Sequence, residues 1–164
     1  MSVLIAYATH SGATRTLAEQ IAETLTDLGL DPQVVHVLED PEPSAHEAAV
    51  IGSAVRVESY EKPFVQWTRR HAEALGQRPV ALFSCSGSAS DPAKQGKQKA
   101  TDAFLAEAPF EPVAVRNLAG WVLMDRIPLH ERLLLRSMRT PEGDFRDLPA
   151  VAAWAREIAP LLRG

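Results

Sequence analysis

Five apolar runs of strand length, interleaved with stretches of helical period, span this chain of 164 residues. The first, residues 3–8 (VLIAYA), is apolar without alternation, as a strand covered on both faces must be. Residues 33–38 (QVVHVL), 48–52 (AAVIG), 79–84 (PVALFS) and 112–120 supply the others. Leu17, Ile21, Leu25 and Leu28 form one stripe of a helix that Gly29 stops. Phe64, Val65, Trp67, His71 and Leu75 mark a second helix, with Pro63 in its first turn and Gly76 after it. A third, over 93–108, is anchored by Ala103, Phe104 and Leu105, and a last, over 148–162, by Val151, Trp154, Ile158 and Leu161. Residues 39–44 (EDPEPS) read as a connection, 53–62 as a polar loop and 85–92 (CSGSASDP) as a loop of small residues. Strands alternating with helices predict an α/β fold, with a parallel sheet wrapped on both faces.

Length and composition bound the function. The chain reads as a single domain over 1–164, and one of this size buries about 68–70% of its unfolded surface. Its one cysteine excludes an internal disulfide and suits a reducing compartment. The N-terminal segment lacks the features of a signal peptide, and no apolar run approaches the ~20 residues of a membrane span, so the expected location is cytoplasmic. A net charge of −4 argues against nucleic acid as a partner. His36, His46, His71 and His130 form no ligand-spaced cluster, so no metal site is expected.

The most informative segment is Thr9-His10-Ser11-Gly12-Ala13-Thr14, where the first strand turns into a helix. Free backbone N–H groups and the positive end of the helix dipole favour an anion there. Thr9, Ser11 and Thr14 add hydroxyls, Gly12 permits close approach, and no lysine or arginine interrupts the segment, which suits a monophosphate. Neither a Gly-Lys-Ser/Thr phosphate loop nor a spaced-glycine dinucleotide fingerprint is present. The plain alternative is that Ser11 or Thr9 only caps the helix.

This hexapeptide resembles the flavodoxin family's pattern Thr-x-Ser/Thr-Gly-x-Thr, placed as there directly after the first strand. The resemblance implies a three-layer flavodoxin-like fold with a five-stranded sheet in the order 2-1-3-4-5. FMN would lie in the crevice at its switch point. Ile51-Gly52-Ser53-Ala54-Val55-Arg56, a late insertion at about 125–147 and the ending Trp154-Ala155-Arg156-Glu157-Ile158-Ala159 resemble the flavodoxin-like, menaquinone-dependent protoporphyrinogen IX dehydrogenases. These take hydride equivalents from a porphyrinogen and pass electrons to a quinone. The resemblance assigns Thr9 through Thr14 (with His10, Ser11, Gly12 and Ala13) to the FMN phosphate. It places Ser53, Ala54, Val55 and Arg56 on one side of the isoalloxazine and Ser84, Cys85, Ser86 and Gly87 on the other edge. Trp121 would approach the ring or close the substrate pocket. The chain departs from carrier flavodoxins in having no aromatic residue in 85–92 and only Tyr60 after the third strand. It also lacks their strong acidity. An open flavin face lets a flat substrate stack. A one-electron carrier, a general quinone reductase and a non-enzymatic module remain the alternatives, and no general acid or base is singled out.

Arg56 can favour reduced flavin or pair with a substrate carboxylate. Cys85 and His10 read as a small apolar residue and a backbone contributor ahead of catalytic groups. In the insertion, a helix over 129–139 sets Arg132, Arg136 and Arg139 on one face, with Ile127, Leu134 and Met138 roughly opposite. Residues 126–139 hold four arginines, Arg126 included, and one glutamate, a formal charge of +3. Such a helix can rest on the inner face of an anionic membrane near a dissolved quinone, or pack on the domain edge or a second copy in a homo-oligomer. The basic stretch 94–99 reads as a solvated helix start.

Overall fold

The computed structural model describes residues 1–90, 97–137 and 142–164. Strands β1 (Ser2–Ala8), β2 (Asp31–His36), β3 (Ala48–Arg56), β5 (Val80–Ser86) and β6 (Ala114–Ala119) lie parallel in the order β2-β1-β3-β5-β6. Counted over these five long strands, that is the predicted 2-1-3-4-5. The short β4 (Ser59–Tyr60) folds back antiparallel on the end of β3.

Because strand side chains alternate with period two, β1 feeds two cores. Val3, Ile5 and Tyr7 pack with Leu17, Ile21 and Leu25 of α1 (Ala13–Asp27) and with Val151, Trp154 and Ile158 of α6 (Leu148–Leu162). Leu4, Ala6 and Ala8 face Phe64 and Trp67 of α2 (Lys62–Arg70), Leu75 of α3 (Ala72–Gly76) and Ala100 of α4 (Lys99–Glu107). This is the three-layer flavodoxin-like arrangement, and it explains the unbroken apolar run of residues 3–8. Gly52 lies opposite Phe83 in β5, and a Cβ at Gly52 would clash with the Phe83 ring.

Several boundaries move. β3 continues to Arg56 and β5 to Ser86, so Ser53, Ala54 and Cys85 are strand residues, not loop residues, paired Ser53↔Ser84 and Ala54↔Cys85; Ser84 lies in its strand as expected. The serines tolerate burial because each has hydrogen-bond partners. The second helix breaks at His71, whose Nε2 lies 2.9 Å from the Asp40 carboxylate. Leu28, Leu38 and Leu161 are exposed, whereas Leu162 is buried. Each sits at or beyond the last turn or strand residue, where the stripe drifts off the core. Ala103 is exposed, and Ala100 and Thr101 anchor α4 instead. The expected start of that helix at 93, residues 94–96 of the stretch 94–99, and Asp91 and Pro92 lie outside the described residues, as do Met138, Arg139 and Thr140.

The insertion builds its own small unit. β7 (Trp121–Val122) pairs antiparallel with β8 (Gly143–Asp144), and α5 (Leu129–Ser137) runs between them. Val122 and Ile127 bury against Leu135 and Phe145.

Candidate functional site

The carboxyl ends of β1, β3 and β5 open into a cleft of about 1470 Å³, closed on its far side by the insertion. Of the residues singled out in the sequence, His10, Ser11, Ala13, Thr14, Ala54, Val55, Arg56, Cys85, Ser86, Gly87 and Trp121 line it. Thr9, Gly12, Ser53 and Ser84 do not.

The loop between β1 and α1 is built to receive an anion. Thr9 Oγ1 accepts from the Gly12 N–H at 2.9 Å, which sets the turn. The N-cap of α1 is Gly12, in the left-handed region at φ 99, and no side chain caps the helix. The reading that Ser11 or Thr9 serves only as a cap therefore finds no support in the geometry, and the first-turn N–H groups of α1 have no intrahelical partner. Thr14 Oγ1 is buried and, among the described residues, makes no hydrogen bond of ordinary geometry, only a weak interaction with the Cys85 thiol. An orphaned buried hydroxyl at a helix N-terminus is what a bound phosphate would satisfy. The residues present thus fit the phosphate end of a flavin mononucleotide.

Trp121 lies on this loop. Its indole Nε1 donates to both the backbone oxygen and Oγ of Ser11, each at 3.1 Å. A Cβ at Gly12 would lie 3.2 Å from Trp121 Cζ2.

Ser53 and Ser84 hold the scaffold together. Ser53 Oγ accepts from the Glu61 N–H at 3.0 Å and donates to the Ala54 carbonyl, pinning the base of the β3–β4 hairpin. Ser84 Oγ and Thr101 Oγ1 each donate to Asn117 Oδ1 at 2.7 Å. Since the single Thr101 proton goes to Asn117, the Tyr60 hydroxyl donates to Thr101, at 2.6 Å. Burial is the main reason that the Tyr60 pKa rises to about 12. Its ring packs with Phe64 and Phe104 and is 7% exposed, so it is not free to stack on a ligand. Cys85 is likewise buried, and desolvation pushes its thiol up to about 12 against smaller opposing effects of Thr14 and Arg146. It is a small packing residue in β5, not a loop thiol.

At the tip of the hairpin, Val57 and Glu58 both have positive φ, 48° and 57°, as a two-residue type I′ turn requires. A β-branched residue there is strained, and Val57 is 80% exposed at the rim of the cleft.

A cluster that sequence reasoning missed bridges the cleft. Glu131 of α5 contacts His10 Nε2 at 2.5 Å and accepts from Arg56 Nη1 at 2.9 Å, while Arg56 Nε lies 3.6 Å from Glu61. Arg56 is thereby offset by two carboxylates. Glu131 was the lone acid in a basic stretch, and that exception was its signal. Arg146 was missed, and Arg126 was read only as one charge of the basic insertion: their guanidinium carbons lie 4.5 and 4.8 Å from the Trp121 ring centroid.

A parallel sheet with an anion cradle at its switch point, opening on a large cleft, defines a flavodoxin-type protein. A flavodoxin domain model matches residues 4–148, and the chain belongs to that family, which implies FMN as its cofactor and oxidoreduction as its chemistry. The chain is similar to protoporphyrinogen IX dehydrogenase [quinone] of Escherichia coli K12, at 29% identity over 98% of this chain and 96% of that protein. A protein of the same name from Leishmania major is 25% identical, over 96% of this chain and 74% of its own length. Among solved structures, an archaeal flavodoxin superposes with a TM-score of 0.63 at 17% identity, covering 100% of both chains. Oxidised flavodoxin 1 of Bacillus cereus gives 0.60 at 16% identity, covering 98% of both, and these two likenesses show the shared fold.

Proposed function

We propose that this flavoprotein oxidises a porphyrinogen and reduces a quinone, as the names of its curated relatives state for them. The observation that carries the reading is the cleft. Its 1470 Å³ exceeds the roughly 300–1,000 Å³ usual for one small-molecule ligand, so a flavin and a second flat molecule fit together. FMN supplies the electron-accepting ring; the protein binds it, orients it and leaves one face uncovered. Val55, Ser86 and Gly87 line that space without an aromatic side chain, and Val122, Leu134 and Phe145 give the far wall an apolar character suited to a macrocycle or a quinone. His10, Glu131 and Arg56 form its polar edge, able to orient a substrate and hold a proton at His10 Nε2.

The outer face of α5 supports peripheral membrane contact. Leu129 and Leu133 are 65% and 59% exposed, flanked by Arg132 and Arg136. No described helix is long and apolar enough to cross a membrane. A helix of this composition suits an anionic bilayer surface, where a lipid-soluble quinone is at hand.

The test is reconstitution with FMN followed by porphyrinogen oxidation, read as porphyrin fluorescence with a menaquinone analogue as acceptor. Quinone turnover with a generic donor but none with the porphyrinogen would make this a general quinone reductase. Rapid exchange with a ferredoxin reductase and no porphyrinogen turnover would make it a carrier. Replacing Gly12 by a bulky residue abolishes flavin binding under all three flavin readings and changes little if the protein is a non-enzymatic module.

A further inference from the structure

We propose that Arg126, from the insertion, is a ligand of the FMN phosphate. The proposal rests on the FMN reading of the site and says which side chain, outside the family's loop, completes it.

The loop itself offers amides and hydroxyls but no formal positive charge. A helix N-terminus supplies only about half a charge, against the −1.5 to −2 of a phosphate monoester at neutral pH. The fold brings two guanidiniums to Trp121, and they are not equivalent. Arg146 is committed: it makes hydrogen bonds of 2.9 and 2.7 Å to the two Asp144 carboxylate oxygens and donates to Thr16 Oγ1 at 3.0 Å. Arg126 has no carboxylate partner among the described residues. It stacks on the Trp121 ring, and its Nη1 is 3.9 Å from the position a Cβ would take at Gly12. Trp121 holds this arrangement against the loop through its bonds to Ser11. Because Ser11 Oγ accepts from the indole, its own proton is free to point at the same anion. The buried Thr14 Oγ1, which has no hydrogen bond of ordinary geometry among the described residues, marks where that anion belongs. The stacked guanidinium is a donor fork held in place beside an open anion cradle.

The test compares FMN with riboflavin, which lacks only the phosphate, by quenching of flavin fluorescence on titration of the apoprotein. Arg126→Ala is expected to weaken FMN binding by about 10- to 100-fold, the size of a lost charge-assisted hydrogen bond, and to change riboflavin binding by less than about twofold. Arg126→Lys should recover part of the loss. Raising salt should weaken FMN binding more in the parent protein than in Arg126→Ala. Arg126 is exposed, so the variant should melt at the parent temperature. Unchanged FMN affinity in Arg126→Ala, or equal loss for both flavins, overturns the proposal. A parent protein that binds neither flavin overturns the FMN reading itself and this inference with it.

Discussion

The carboxylate of Glu131 meets His10 Nε2 at 2.5 Å with one oxygen and Arg56 Nη1 at 2.9 Å with the other. One side chain of the insertion thus ties the loop that opens α1 to the end of β3. Arg56 Nη1 also lies 3.4 Å from His10 Nδ1, so the two ring nitrogens face a guanidinium and a carboxylate. No residue of α5 is buried, so this polar contact is a principal tie between the helix and the domain.

That tie has an acid limit. Burial acts to raise the Glu131 pKa, but hydrogen bonds and charge from His10 and Arg56 outweigh it and leave it below the ordinary 4.5. A carboxyl depressed in the fold stabilises it above pH 4.5 and loses that contribution as pH falls through the lower folded value. Glu131→Gln should cost about 1 kcal/mol at pH 7, since Arg56 is half exposed, and should flatten the pH dependence below 4.5. Hydrogen exchange of α5 should accelerate in the variant; unchanged exchange would count against the tie.

Asn117 accepts from two side chains, one of them from the fully buried Ser84. Asn117→Ala leaves the hydroxyls of Ser84 and Thr101 without this acceptor, and the expected loss is about 2–4 kcal/mol. Urea unfolding measures it. A loss under ~1 kcal/mol would mean that water replaces the amide.

Cys85 should be chemically silent in the folded protein. With its pKa near 12, the thiol carries almost no thiolate at pH 8, and iodoacetamide should label it only after unfolding. An acid whose pKa rises on folding from 9.0 to about 12 holds its proton longer in the native state. Its contribution is therefore complete below pH 9 and declines above it. Cys85→Ala should retain flavin binding.

Val57 sits at φ 48 in the hairpin tip, where asparagine is at ease and a β-branched residue is not. Val57→Asn should stabilise the protein by about 1 kcal/mol. A decrease in stability would show that the exposed valine makes a compensating contact.

If α5 rests on lipid, the protein should co-sediment with vesicles containing phosphatidylglycerol and much less with pure phosphatidylcholine. Leu133→Glu, at a position 59% exposed, should reduce that binding without lowering the melting temperature. Equal binding by parent and variant would remove the helix from the contact.

The fold was legible because its determinants are local. A continuous apolar run at 3–8, helical stripes such as Leu17, Ile21 and Leu25, and Gly12 at a strand-to-helix turn each declare themselves within a few residues. The ends of β3 and β5 were hidden because Ser53 and Ser86 look like loop residues until Glu61 and the paired Ala119 of β6 are brought beside them. The same limit applies to the site.

The sequence by itself determined the layered α/β arrangement and an anion cradle that FMN fits, since periodicity and a six-residue motif suffice for both. Tertiary structure alone decided what surrounds the cradle. Trp121 reaches Ser11 across 110 positions and Glu131 reaches His10 across 121, and only closure of the chain makes such contacts. The sequence made the loop look free of cations; the folded insertion brings Arg126 to it, because charges act over distance in space and not along the chain.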